Sequence, residues 1–166
     1  MEIRILGYDH PDAELLTAEV QQEYVRRYGD PDLSHVDPAH FRAPAGLYAL
    51  GYLDGEPMVS GGWRAHADRL HDGDGLLPGD VELKRMYTRP AARGRGLARR
   101  MLRFLEEEAA KAGLRRMILE TGTEQPEAIA LYESEGYERI PGFGYYAEAP
   151  GSVCFGKLLD ARVGCV

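Results

Sequence analysis

Cysteine is nearly absent. The 166-residue chain has two, Cys154 and Cys165, far from any C-x-x-C spacing, so neither a paired-thiol redox motif nor a cysteine zinc site can be read from them. Cys154 falls in an apolar, strand-like run and reads as a small buried residue. Long hydrophobic runs are missing as well. No stretch approaches the roughly 20 apolar residues that a membrane-spanning helix needs. The first residues, M-E-I-R-I-L-G-Y-D-H, are acidic and strand-like and do not resemble a leader peptide. A cytoplasmic location with no membrane partner is the expectation. Positive charge is in deficit, with a formal net charge of −7. That argues against a nucleic-acid partner, which would require a broad basic surface.

Metal-binding patterns also fail. His66, Asp68, His71, Asp72 and Asp74 crowd the segment 65–79, but no glycine and glutamate fall where a calcium loop requires them. His66 and His71 are five residues apart and do not make the i, i+4 pair of a helical zinc site. The segment reads as a solvated loop, and no metal is expected.

What is present is an ordinary globular composition, 44% hydrophobic and 28% charged, which fits one domain over residues 1–166. Residues 2–7 alternate polar and apolar as a strand does. Asp12, after Pro11, is placed to cap a helix that runs to about residue 28, where Gly29-Asp30-Pro31 ends it. Residues 30–44 are rich in breakers and leave room for one short helix near 37–41. Strands 46–53 and 56–64 flank Asp54-Gly55, a two-residue hairpin turn. Gly61-Gly62 in the second of these suggests a bulge or a close backbone approach. Later come a strand over 115–120, a helix opened by Gln125-Pro126-Glu127 and capped by Gly136, and strands at 137–140 and 152–159.

Residues 80–112 organise the rest. Val81, Leu83, Met86 and Tyr87 form a strand that Pro90 closes. Leu97, Met101, Leu102, Phe104, Leu105 and Ala109 then recur at helical spacing, and Gly113 ends that helix. Between strand and helix lies a turn of Arg and Gly. Gly94 and Gly96 allow the backbone to approach a ligand and aim consecutive N–H groups at it. The helix start adds unpaired amides and the positive end of the dipole, which together make an anion site. Arg93, Arg95, Arg99 and Arg100 gather there although cations are disfavoured at a helix N-terminus. A bound polyanion would reverse that penalty; a solvated basic helix start is the plainer alternative.

Arg93-Gly94-Arg95-Gly96-Leu97-Ala98 resembles the R/Q-x-x-G-x-G/A signature of the GNAT superfamily of N-acetyltransferases. It is not a Walker loop, which ends in Gly-Lys-Ser/Thr, nor a dinucleotide turn, because Arg99 stands where a third glycine or alanine is needed. A second stretch is similar to another signature of that superfamily through Gln125, Ala128, Tyr132 and Gly136-Tyr137, with glutamine replacing the usual asparagine. The resemblance implies an α/β (α+β) fold: a central mixed, mostly antiparallel sheet of about seven strands, with parallel, splayed strands four and five, flanked by about four helices. It implies acetyl-CoA as co-substrate. The backbone of Met86, Tyr87 and Thr88 would meet its thioester and pantetheine arm, joined there by Gln125. The turn residues Arg93, Gly94, Arg95, Gly96, Leu97, Ala98 and Arg99 would hold its pyrophosphate.

Acetyl transfer to an amine needs a proton acceptor for the amine, a stabilised oxyanion and a proton for the departing thiolate. By resemblance, Glu82 is the general base and Tyr132 the acid. An ion pair of Glu82 with Lys84 or Arg64, and simple packing of Tyr132, are the alternatives. The expected activity is acetyl-CoA-dependent transfer to a primary amine on a small molecule or peptide by direct attack, the other option being a non-catalytic acyl-CoA sensor. Tyr24, Tyr28, Trp63, Tyr145 and Tyr146 are candidates for the acceptor wall. A homodimer, common in similar proteins, is one expected assembly.

Overall fold

The computed structural model describes residues 1–66 and 76–160. Asp68, His71, Asp72 and Asp74 of the rejected metal pattern, and Cys165, lie outside the described residues. The alternating runs become strands and the 3.6-period runs become helices. In chain order these are β1 Glu2–Ile5, α1 Pro11–Tyr28, β2 Gly46–Leu53, β3 Glu56–Ala65, β4 Asp80–Thr88, α2 Leu97–Lys111, β5 Arg116–Gly122, α3 Pro126–Ser134, β6 Glu138–Ile140 and β7 Ser152–Leu158. Three α-helices are present among the described residues, where about four were expected. The short segment near residue 40 closes as a four-residue 3-10 turn, Pro38–Phe41, capped by the Asp37 side chain. The cap of α1 also differs from expectation. Pro11 occupies its first turn, and His10 accepts the Asp12 N–H at 3.2 Å through Nδ1.

The strands form one sheet in the order β1-β2-β3-β4-β5-β7-β6. Every pairing is antiparallel except β4 with β5. Alternate residues of β2 show how the sheet is covered. Tyr48, Leu50 and Tyr52 pack with Leu16 and Val20 of α1, whereas Ala49 joins the larger cluster containing Met101, Leu102 and Leu105 of α2. Because successive side chains of a strand point to opposite faces, α1 covers one face and α2 the other. Tyr132 brings α3 into the α2 cluster.

Two irregularities shape the middle of the sheet. The parallel pairing lasts three residues, Asp80↔Arg116, Val81↔Met117 and Glu82↔Ile118. Beyond it β4 stays with β3 while β5 stays with β7, so the two strands part. The register between β3 and β4 also shifts, from Ser60↔Tyr87 to Gly62↔Lys84, leaving Arg85 and Met86 opposite Gly61. This is the bulge anticipated from Gly61-Gly62. A Cβ on Gly61 would run into Met86 Sδ and Leu105. At the bulge Arg85 adopts φ 57°, a left-handed conformation unfavourable for a side chain with a Cβ. Its guanidinium is held by Asp32 and by the Tyr8 hydroxyl at 3.3 Å.

Asp80 anchors the closed end of the parallel pair. Its carboxylate is fully buried, accepts two Arg116 hydrogen bonds at 2.7 and 2.6 Å, and accepts the Leu77 N–H at 2.8 Å. Removing one member of a buried pair leaves the other uncompensated, at a cost of about 3–5 kcal/mol. Asp80→Ala should therefore lower the free energy of urea unfolding by about that amount. A variant as stable as the parent would show that this pair does not hold β4 to β5.

Candidate active-site cleft

Two adjoining cavities open where β4 and β5 separate. The first, about 410 Å³, lies between the end of β4, the glycine-rich turn and α3. Met86, Tyr87 and Thr88 line it, as do residues 93–99 apart from Arg95, together with Gln125 and Tyr132. The first intrahelical bond of α2 runs from the Arg100 N–H to the Gly96 carbonyl at 3.1 Å. The six amides of residues 94–99 have no protein acceptor among the described residues. Gly94 and Gly96, at φ 74° and 72°, turn the chain so that this row can form.

The arginines of the turn divide by partner. Arg93 pairs with Glu23 at 2.7 Å and donates to the Thr88 carbonyl at 3.0 Å. Arg99 pairs with Glu135 at 2.7 Å. Arg100 donates to the Met1 carbonyl at 3.2 Å. Arg95 is exposed and makes no hydrogen bond or ion pair among the described residues. The crowding at the helix start is therefore relieved in part by glutamates from α1 and from the end of α3. Of the four, Arg95 alone keeps a guanidinium with no protein partner among the described residues.

The second cavity, about 360 Å³, shares Tyr24, Met86, Gln125, Ala128 and Tyr132 with the first. It continues between the loop after α1 and the loop before β7. Of the tyrosines and the tryptophan named as candidates for an acceptor wall, Tyr24, Tyr28 and Tyr146 line it. Two other candidates do not: Trp63 is buried in the α2 core, and Tyr145 is exposed with its ring set edge-on to Tyr146. Gly122 has no room for a Cβ because the Tyr28 hydroxyl occupies that space. Tyr28 in turn donates to Gln125 Oε1 at 3.2 Å, which fixes the amide at the junction of the two cavities.

Glu82 is not on either wall. Its carboxylate is buried and meets Arg64 Nε at 2.8 Å, His66 Nε2 at 2.8 Å and Lys84 Nζ at 3.5 Å. Burial alone would push the carboxyl up, but the His66 hydrogen bond and the Lys84 and Arg64 charges outweigh it and hold it at about 2. These are the contacts of the ion-pair alternative.

Glu120, which the sequence reading passed over, does line the second cavity. Burial is the main cause that raises its carboxyl to about 7; Lys84 opposes the rise, while Glu82 and Asp32 add to it. Its signal in the sequence is its place at the carboxyl end of a strand in the parallel pair, where α/β sheets bind ligands. Tyr132 lines both cavities and is 6% exposed, and its hydroxyl makes no hydrogen bond among the described residues. Burial raises its phenol well above the ordinary range, so it keeps its proton.

Among the described residues, no group of His, Cys, Asp and Glu side chains could hold a metal ion, and no helix is long and apolar enough to cross a membrane. Cys154 is buried and free.

A mixed sheet opens between its one parallel pair, and a row of bare amides lies at the head of the adjoining helix. A Klebsiella pneumoniae structure described as a candidate acyl-CoA N-acyltransferase superposes with a TM-score of 0.73 at 27% identity, covering 96% of this chain and 97% of that one. Residues 14–137 match the acetyltransferase (GNAT) family, and the chain belongs to that family. The uncharacterised N-acetyltransferase YjgM of Escherichia coli is 48% identical over 143 residues, 82% of this chain and 81% of that protein. The IAA acetyltransferase of Azospirillum brasilense is 44% identical over 78 residues, a match spanning 47% of this chain and about half, 51%, of that relative.

The two glutamates set opposite pH dependences of stability. Glu120 rises from an ordinary 4.5 to about 7 on folding, so its contribution is present below pH 4.5 and is lost as pH climbs through 7. Glu82 falls from 4.5 to about 2, so its contribution is present above pH 4.5 and is lost as pH drops toward 2. Urea midpoints measured across pH should show Glu120→Gln flattening the decline on the alkaline side, with the acid side unchanged. Parallel curves for parent and variant would contradict the assignment.

Proposed function

We propose that the protein is an acetyl-CoA-dependent N-acetyltransferase that acetylates a primary amine by direct attack, with Glu120 as proton acceptor and Tyr132 as proton donor. The observation that carries this reading is the junction of the two cavities. An unpartnered amide row lies along one, a carboxyl held near neutrality lies in the other, and Tyr132 borders both.

The residues of the first cavity fit the coenzyme. The amides of residues 94–99 and Arg95 would take the pyrophosphate. Past Glu82, β4 has no strand partner on its β5 side among the described residues, so its backbone is available to an extended arm as an added strand. The Gln125 amide stands beside that edge. Acetyl-CoA supplies an activated acyl carbon. An acceptor enters the second cavity as an ammonium and gives one proton to ionised Glu120. Its nitrogen bonds the acyl carbon as the carbon–sulfur bond breaks. The leaving sulfur takes the Tyr132 phenolic proton, and the second proton, shed by the acylated nitrogen, restores the phenol, so that a neutral amide, a free thiol and protonated Glu120 remain. A base with a pKa near the working pH combines adequate ionisation with adequate basicity. Glu82, at about 2 and off both walls, is a weak base and is better read as the partner that holds Arg64 and His66 in place.

Because the base acts in its ionised form, kcat/KM should rise with pH through about 7. Glu120→Gln should remove that limb and lower kcat by about 10²- to 10⁴-fold, with acetyl-CoA still bound. Tyr132→Phe should lower kcat more than it raises the coenzyme KM. Gly96→Val should abolish acetyl-CoA binding. Loss of the limb in Glu82→Gln but not in Glu120→Gln would transfer the role back to Glu82. Tight acetyl-CoA binding without product from any amine would identify a sensor.

A further inference from the structure

The charges around the second cavity nearly cancel, and the remainder has a pattern. Asp30, Asp32, Lys84, Arg85 and Glu120 line it. Asp30 is exposed at the rim. Arg85 and Asp32 form a pair. Just behind the wall, Glu82 is taken by Arg64 at 2.8 Å. Two groups are left over. One is the Glu120 carboxyl, and the other is the Lys84 ammonium, whose side chain is 14% exposed.

Lys84 is poorly matched by its surroundings. An ammonium has three donors. Among the described residues it makes one hydrogen bond, to Ser34 Oγ at 3.2 Å, and the nearest carboxylate oxygens are at 3.5 Å on Glu82 and 3.9 Å on Asp32. Both carboxylates already serve guanidinium groups. A largely buried cation with spare donors, facing a cavity, complements an anionic group on whatever enters.

The cavity is also strapped. The Leu33 N–H donates to the Tyr146 hydroxyl at 2.8 Å, tying the loop after α1 to the loop before β7. Leu33 and Tyr146 both belong to the cavity wall. A groove meant for an extended peptide would run open between these loops.

Resting on the acetyl-transfer reading above, we propose that the acceptor is a small amino acid-like molecule, with a primary amine and a carboxylate a few bonds apart. Its ammonium meets Glu120 and its carboxylate meets Lys84, while an apolar body packs on Tyr24, Tyr28 and Tyr146.

The test uses the full chain, acetyl-CoA and matched acceptor sets, with product mass as the readout: phenylalanine, phenylalaninamide, phenethylamine and a phenylalanine-initiated tetrapeptide, and the corresponding leucine set. The free amino acid should exceed its amide and its decarboxylated amine in kcat/KM by about tenfold or more, and the tetrapeptide should be poorest. Lys84→Met should bring the acid-to-amide ratio close to one, and Lys84→Arg should retain it. An amide or peptide that matches or exceeds the free acid in the parent enzyme would overturn the proposal, even if no Lys84 variant folds. A ratio that Lys84→Met leaves unchanged would do the same. Should acetyl-CoA bind while no member of either set, nor any simple amine, is acetylated, the acetyl-transfer reading itself fails and this proposal falls with it.

Discussion

The structure depends on a parallel pairing that stops early. β4 and β5 share three residue pairs, and then each strand follows its antiparallel neighbour. In a continuous sheet, the backbone of β4 beyond Glu82 would be hydrogen-bonded on both sides and the space beside Tyr132 would be filled. The split leaves one side of that strand bare, and its side chains and those of β5 become the walls of a cleft. Asp80 and Arg116 close the sheet at one end, and the Arg85–Asp32 pair holds the bulge open at the other. The bulge puts a non-glycine residue at positive φ, a conformation that persists only where surrounding contacts over-determine it.

The same split explains why two glutamates on neighbouring strands differ. Glu82 lies in the last paired rung, opposite Ile118, and is enclosed with three basic side chains. Glu120 lies two residues beyond that rung on the other strand, where it is half-buried with no hydrogen-bond donor at its carboxylate among the described residues and with the Glu82 and Asp32 charges nearby. Burial acts on both in the same direction. Partners decide the outcome, and the strand separation decides which residue has them.

Much of this was legible in the chain. The alternation in residues 46–53, the helical period from Leu97 to Ala109, and the glycines at 61–62, 94 and 96 dictate their elements directly, because each rests on local backbone constraints. The match to the acetyltransferase signatures adds the mixed sheet and its parallel pair. Three features were not legible. The α1 cap went to His10 because a ring nitrogen can accept as a carboxylate does, and Pro11 left the Asp12 N–H within its reach. The partners of Arg93 and Arg99 come from Glu23 and Glu135, which lie 70 and 36 residues away along the chain. Glu120 showed nothing unusual in its own neighbourhood. Its environment is built by Lys84, Glu82 and Asp32, which only the fold brings near.

The central claim is that the bare amides at the head of α2 and the free edge of β4 seat one ligand together. Backbone amide resonances followed by NMR while coenzyme A is titrated into the full-length protein test it most directly. The account predicts the largest shifts in residues 94–99 and in Met86–Thr88, saturating with a single binding curve. Saturable shifts that spare both segments, or that move one segment without the other, would contradict it.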